Sequence, residues 1–336
     1  MSEPIIQVEN LKKSFKVPKK KESKGFFSKA RNIFYREWEE IDVLRDLSFE
    51  IQEGDFIGYI GANGAGKSTT IKLLTGILAA ESGKVQCLGF DPYQQRYDYS
   101  YHIGVVFGQK SILEYEVPVQ ASFDLYRKIY EMDDTSYKKR LGFYQDILGI
   151  EDLLHIPVRK LSFGQRMRCE VAASLLHQPK IVFLDEPTIG LDASAKKEIR
   201  EFLKTVNEVD KTTIILTTHD MKDIEQLCKR VMMIDRGSII YDGDLEQLKR
   251  NYLKEKTLRI SPQEILHPEK YKELRDKTES ILVTGDIEHW QLSTDKIQLG
   301  NFIRELLECV TFSDLNVTEP ELEDIVRHIY EVGLNV

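Results

Sequence analysis

The residues Gly61-Ala-Asn-Gly-Ala-Gly-Lys-Ser68 constrain this 336-residue chain more than any other stretch. They fit GxxxxGK[ST], and their surroundings matter more than the match. An apolar run, Phe56 to Ile60, precedes them, and a helix-like run, Ser68 to Leu78, follows. Strand, loop and helix in that order make a phosphate cradle. Its glycines let backbone N–H groups wrap a β-phosphate. Lys67 sets a point charge against the β and γ oxygens, and the Ser68 hydroxyl can ligate Mg²⁺. A Gly-rich turn matched by chance would lack this flanking order. The loop alone says nucleotide and no more, since kinases and GTPases carry one.

Two more apolar runs end in reactive side chains. Ile181 to Leu184 leads into Asp185-Glu186. That pattern predicts a buried parallel strand with carboxylates at its C-terminal end, where ligands sit in a doubly wound sheet. Asp185 can hold Mg²⁺ through water, and Glu186, pointing differently, can polarise an attacking water. ILTTHD, Ile215 to Asp220, brings His219 to another strand end. A lone His is usually structural; at this place it can contact a γ-phosphate. A fourth strand, IGVVFGQ, ends in Gln109, which can ligate Mg²⁺ and orient water.

A second phosphate-like feature lies at LSFGQRMR, Leu161 to Arg168. Ser162 and Gly164 open a helix-like run, FGQRMRCEVAASLLH. A hydroxyl, small residues and free N–H groups at a helix N-terminus suit an anion.

In order and spacing these motifs resemble the ATP-binding-cassette ATPases, over about Ile5 to Leu248. The resemblance implies ATP and Mg²⁺ as ligands. It makes Gly61, Ala62, Asn63, Gly64, Ala65, Gly66, Lys67 and Ser68 the Walker A loop, with Thr69 beside it on the nucleotide. Gln109 becomes the Q-loop glutamine, Asp185 the Walker B aspartate and Glu186 the catalytic glutamate. Asp192, in IGLD, becomes the D-loop aspartate and His219 the switch histidine. Ser68, Gln109 and Asp185 would hold the metal. Phe15, in LKKSF, fits the aromatic that stacks on adenine. Leu161 to Gln165 is the signature, commonly LSGGQ. Here Phe163 replaces the middle Gly, while Ser162, Gly164 and Gln165 are kept. In this family one copy's signature faces another copy's P-loop, which accounts for two phosphate features in one chain. A homodimer, or a pairing with a similar cassette subunit, follows from the resemblance. So does an integral-membrane permease of about six transmembrane helices per chain.

The expected fold class is α/β, a P-loop cassette core with a mixed sheet and helices. An antiparallel β subdomain precedes the core, from Ile5 to Ile60. ASFDLYRKIY and YKKRLGFYQDIL place apolar residues at helical spacing, and the resemblance implies that a helical subdomain at about 112–178 carries the signature. Arg236 to Asp244, RGSIIYDGD, reads as a closing β-hairpin. The cassette is expected over 1–252, and a small α+β accessory domain over 253–336. In the latter, TLRI, SILVTGD and HWQLST read as strands, DKIQLGNFIRELLECV and ELEDIVRHIY as helices. This appendage shows no catalytic constellation, so a structural or dimer-stabilising role is favoured over ligand sensing. Its end, EPELEDIVRHIYE, resembles the tail of ABC-2 exporter cassettes.

Residues 17–40 read as an insert. From Lys19 to Arg36 there are seven basic residues and one acidic. Phe26, Phe27, Ala30, Ile33, Phe34 and Trp38 recur at helical spacing, interleaved with Lys24, Lys29, Arg31 and Arg36. A basic amphipathic helix with aromatics, over 19–38, suits an anionic membrane surface or a membrane subunit. The plainer reading is a solvated charged loop. The insert, with IGVVFGQKS and VPVQASFDLYRKIY, is similar to an ABC-2 branch of drug or viologen exporters.

Net charge is −8, which argues against nucleic acid as the main partner. Cys87, Cys169, Cys228 and Cys309 are scattered, with neither metal nor disulfide spacing, which fits reduced thiols in a cytosol. No apolar signal core opens the chain, and no stretch approaches the ~20 apolar residues of a transmembrane helix. A cytoplasmic subunit, peripheral on the inner face of the membrane through its permease, is expected. The leading function is the ATPase motor of an exporter. A soluble cassette ATPase acting on ribosomes or DNA is the alternative. Such relatives carry two cassettes or long coiled coils, and this chain has neither. LSFGQ and the Asp-Glu pair argue against a GTPase or a small-molecule kinase.

Overall fold

A computed structural model describes residues 3–18, 38–108, 110–252, 255–293, 297–319 and 321–332. FIGYIG forms β3 (Phe56–Gly61), buried along almost its whole length. A strand so continuously apolar belongs inside a parallel sheet with both faces covered. It lies inside a six-stranded sheet of order β5-β6-β7-β3-β8-β9. The others are β5 (Ile103–Phe107), β6 (Ile181–Asp185), β7 (Thr213–Thr217), β8 (Arg230–Asp235) and β9 (Ser238–Asp244). The pairs β5/β6, β6/β7, β7/β3 and β3/β8 are parallel. Register sets Phe107, Asp185 and Thr217 in one row at the strands' carboxyl ends. Open α/β sheets bind ligands at that edge.

A second sheet is antiparallel, in the order β2-β1-β4, from β1 (Ile6–Pro18), β2 (Trp38–Ile51) and β4 (Ser82–Cys87). Its inward residues Ile6, Val8, Leu47 and Ile51 share one core with Ile57, Leu73, Ile181 and Phe183. Pairing of Val17 with Glu39 and of Pro18 with Trp38 carries the β1–β2 hairpin further than expected. Val17, Pro18 and Trp38 to Glu40, at the two ends of the expected 17–40 insert, are therefore strand residues. Trp38 belongs to β2 and is 57% exposed, not part of a helix. The rest of the expected amphipathic segment, including Lys24, Phe26, Phe27, Lys29, Ala30, Arg31, Ile33, Phe34 and Arg36, lies outside the described residues.

Helices α1 (Lys67–Leu74) and α2 (Arg96–Ser100) precede β5. The helical segment between β5 and β6 holds α3 (Val119–Ile129), α4 (Asp134–Leu148) and α5 (Phe163–Leu175). The Asp133 side chain caps α4 by accepting from Thr135 and Ser136 N–H, and Gly149, at φ 55°, ends it. Tyr144, fully buried, donates to the Leu175 carbonyl at 2.9 Å and so ties α4 to the end of α5. Helices α6 (Ala193–Asp210) and α7 (Met221–Leu227) follow β6 and β7.

The chain divides into two compact units, 1–243 and 244–336. The expected boundary at 252/253 therefore falls inside the second unit. Helix α8 (Leu245–Tyr252) belongs there: Leu245 and Leu248 are buried, and it packs with α11 (Leu322–Val332). The second unit's antiparallel sheet runs β11-β12-β10-β13. Its strands are β10 (Glu255–Ile265), β11 (Ser280–Thr284), β12 (Ile287–Ser293) and β13 (Val310–Thr318). Helices α9 (Pro268–Asp276) and α10 (Leu299–Cys309) pack on it. Trp290 is fully buried, with Tyr271 at 5.3 Å and Phe302 at 6.2 Å between ring centroids. All four cysteines are buried free thiols.

Candidate functional site

Strand β3 delivers the chain into the loop at Gly61. Two glycines of the loop take left-handed backbone, Gly64 at φ 82° and Gly66 at φ 115°. A Cβ at Gly66 would stand 2.6 Å from Leu44 Cδ2, so the position excludes side chains on two counts. Gly66 is also the N-cap of α1 and offers no side-chain cap. The first N–H groups of that helix are left to an anion, and the helix dipole favours one.

Lys67 is buried, and its Nζ donates to the Gly61 carbonyl and, at 3.2 Å, to the Ala62 carbonyl. Burial lowers its pKa, while the Glu186 and Asp185 carboxylates push it back up. Ser68 Oγ donates to Asp185 Oδ2 at 3.3 Å, across from the end of β6. Asp185 Oδ1 accepts from Thr217 Oγ1 on β7. One carboxylate is thus fixed from two sides.

Glu186 leaves the strand at φ 57°, a left-handed conformation that costs a non-glycine residue free energy. Its N–H donates to the Thr217 carbonyl at 2.9 Å. The turn swings its carboxylate toward His219. His219 N–H donates to Oε2 at 3.3 Å, and His219 Nε2 lies 3.1 Å from Oε1. Burial raises the Glu186 pKa; His219 and Lys67 oppose this, and Asp185 adds to it. A carboxylate held this way is a stronger base than a solvated one.

These groups border one open cavity of about 660 Å³. Of the expected residues, Ala62, Asn63, Gly64, Gly66, Lys67, Ser68, Thr69, Asp185, Glu186 and His219 line it. Gly61 and Ala65 are its backbone supports: Ala65 is buried and its carbonyl accepts from Gly237 N–H at 3.0 Å. Gln109 lies outside the described residues, between Gly108 and Lys110, which both line the cavity. Phe15 does not line it. It pairs with Ile41 on the hairpin, with Lys13 Nζ 5.4 Å from its ring centroid, while Val43 of β2 reaches the cavity.

The signature residues stand elsewhere. Ser162 caps α5 in a capping box: its Oγ accepts from Gln165 N–H at 3.2 Å, and Gln165 Oε1 accepts from Ser162 N–H at 2.9 Å. Asp192 caps α6, accepting from Ala195 N–H at 2.9 Å. Gly164 lies in the first turn of α5. None of Ser162, Gly164, Gln165 and Asp192 borders the cavity of Lys67 and Glu186. Phe163 has room because its ring packs over Gly190, with the Arg166 guanidinium 5.2 Å from its centroid. Thr217, which holds Asp185, went unnoticed in the sequence; only its place within ILTTHD, two residues before His219, pointed to it.

Residues 44–189 match the ABC transporter family. The chain is similar to the ABC transporter ATP-binding protein NatA of Bacillus subtilis (strain 168), with 32% identity over 208 residues, 62% of this chain and 84% of NatA. The chain belongs to the ABC transporter family. It is an ATP-binding subunit and an ATPase. The linearmycin resistance ATP-binding protein LnrL of the same organism is 30% identical over 53% of this chain and 57% of its own length. Among solved structures, cbiO1 from Clostridium perfringens, part of the ABC transporter complex cbiONQ, superposes with a TM-score of 0.58 at 26% identity, over 74% of this chain and 94% of that one. The dimeric ATP-binding cassette MJ0796, in a post-hydrolysis state bound to ADP and Pi, shares the fold, with a TM-score of 0.59 at 23% identity over 71% and 98%. No helix among the described residues of this ABC ATPase is long and apolar enough to cross a membrane.

Proposed function

We propose that this subunit pairs with a second cassette, a copy of itself or a similar chain, around two ATP molecules. Hydrolysis then powers export through a separate membrane permease. The observation that carries the catalytic half is Glu186: a half-buried carboxylate of raised pKa, beside His219, facing the cradle of Lys67, Ser68 and Asp185. Lys67 and the N–H groups at the start of α1 hold the β- and γ-phosphates. Ser68 Oγ and Asp185 Oδ2, 3.3 Å apart, are the hard oxygen donors that Mg²⁺ takes, with Gln109 as a further ligand by resemblance. The ion, when bound, neutralises charge on the phosphate oxygens. Glu186 accepts the proton of the attacking water, and His219 holds its carboxylate in place and reaches the γ-phosphate. The adenine end is taken to lie toward β2 at Val43, which lines the cavity where Phe15 does not.

Two features support the pairing. Ser162 and Gly164 start a helix suited to phosphate, yet they border no part of this chain's own cavity. MJ0796, of the same fold, is dimeric in its solved structure. Likeness to a resistance protein supports export, and the printed transporter complex of cbiO1 supports a permease partner. The second unit is proposed to steady the pair. Phosphate release by Glu186→Gln protein tests the catalytic reading. ATP binding should persist while turnover falls below about a tenth of wild type. Turnover above that level would assign the base to another residue.

A further inference from the structure

Two threonines flank the reacting residues in the chain. Thr188 lies two residues past Glu186, and Thr218 stands directly before His219. Both are buried, and both hydroxyls donate to the same oxygen, Oδ2 of Asp223 on α7, the Thr218 bond measuring 3.4 Å. Asp223 is 0% exposed. Its Oδ1 accepts from Arg200 Nη1 at 2.7 Å. Arg200 belongs to α6, the helix that Asp192 caps. A parallel tie runs beside this one. Lys196, also on α6, bonds Asp220 Oδ2 at 2.5 Å, and Asp220 N–H donates to Thr218 Oγ1 at 3.0 Å.

One buried carboxylate therefore joins the segment leaving β6 after Glu186, the segment leaving β7 into His219, and the helix behind Asp192. None of its members borders the nucleotide cavity. Stability alone is a poor reason for a buried ion pair, since well-packed apolar residues often serve as well. Geometry is a better one. Glu186 holds a backbone conformation that persists only where its surroundings fix it. The Thr217 carbonyl fixes its N–H, and Thr188 anchors the chain just beyond it.

We propose that Asp223 is a positioning residue for hydrolysis. Through Thr188 and Thr218 it holds the Glu186 carboxylate and the His219 ring 3.1 Å apart, and through Arg200 it ties both to the Asp192 helix. The proposal rests on the roles given above to Glu186 and His219. It concerns the chemical step and not nucleotide binding, because Lys67 is held by the carbonyls of its own loop and Ser68 by Asp185, with no bond from either to Asp223.

Thr188→Val removes one arm and keeps the Asp223–Arg200 pair. Its kcat should fall on the order of 10-fold, as small misplacements of a reacting group do. Its ATP KM, and ATP binding at equilibrium, should stay within about twofold of wild type. Thr218→Val should behave alike. Asp223→Asn should lose more, and in a Glu186→Gln background it should cost nothing further, since groups acting as one unit are not additive. Should Asp223→Asn fail to fold, the two threonine variants decide. Wild-type kcat in both of them overturns the proposal, as does ATP binding that falls in step with turnover. A Glu186→Gln protein that keeps turning over is a different result: it removes the catalytic reading itself. Loss in Glu186→Gln with none in Thr188→Val and Thr218→Val overturns the positioning role alone.

Discussion

Thr217 Oγ1 donates to Asp185 Oδ1 across two parallel strands in which these residues are direct register partners. The bond leaves Oδ2 turned toward Ser68. It thus aims the carboxylate proposed to hold Mg²⁺. Thr217→Val keeps the strand and removes the donor. Loss of such a supporting partner costs roughly 10–100-fold in metal affinity. The Mg²⁺ concentration for half-maximal ATPase activity should rise by about that range, with ATP binding measured in EDTA unchanged. An unaltered Mg²⁺ requirement would free Asp185 of any dependence on Thr217.

The pH dependence follows from Glu186. Burial lifts its folded-state pKa above the unfolded value of about 4.3. The protonated form is favoured in the folded chain. Its contribution to stability is therefore complete below the unfolded pKa and is lost as pH rises through the folded pKa. Glu186→Gln should gain melting temperature relative to wild type as pH is raised through that window. Turnover has the opposite need, a deprotonated base, so the acid limb of log(kcat/KM), which reports the free enzyme, should lie above the ordinary carboxylate range. A melting difference that is flat with pH contradicts the shift.

Much of this site was legible because buried parallel strands read as unbroken apolar runs. Phe56, Ile181 and Ile215 mark strands that lead into Lys67, into Asp185 and Glu186, and into His219. What the sequence concealed depends on register or on partners far along the chain. Thr217 and Asp223 matter because of residues that lie 32 and 35 positions away, Asp185 and Thr188. The hairpin ends were hidden by composition: Val17 and Pro18 adjoin a lysine run, and Trp38 adjoins Glu39-Glu40. Helix α8 is polar but for two buried leucines, so it read as the tail of the cassette. Helix α9 buries only Tyr271 and Leu274, and β13 interrupts its alternation with Asp314 and Asn316, so neither gave a periodic signal.

The altered signature makes a prediction of its own. Phe163 is partly exposed and packs on Gly190, whereas the Ser162–Gln165 capping box is independent of it. Phe163→Gly, which restores the commoner LSGGQ, should therefore keep turnover within a few-fold. It should cost about 1 kcal/mol of stability, much of it from glycine within a helix. Ser162→Ala should cost roughly 0.5–2 kcal/mol through the lost cap and should lower turnover as well. Denaturant titration separates these costs from the rates.

The central claim is that Ser162 of one cassette completes the site built on Lys67 of another. Phosphate release from an equal mixture of Lys67→Ala and Ser162→Arg proteins tests it most directly. Each variant alone should be inactive, because every site in its own dimer lacks one half. In the mixture half the dimers are mixed, and each of those keeps one intact site of two. Activity should return to roughly a quarter of the wild-type rate if the sites work independently in a two-fold dimer. A Ser162→Arg protein that by itself turns over at the wild-type rate would contradict the claim.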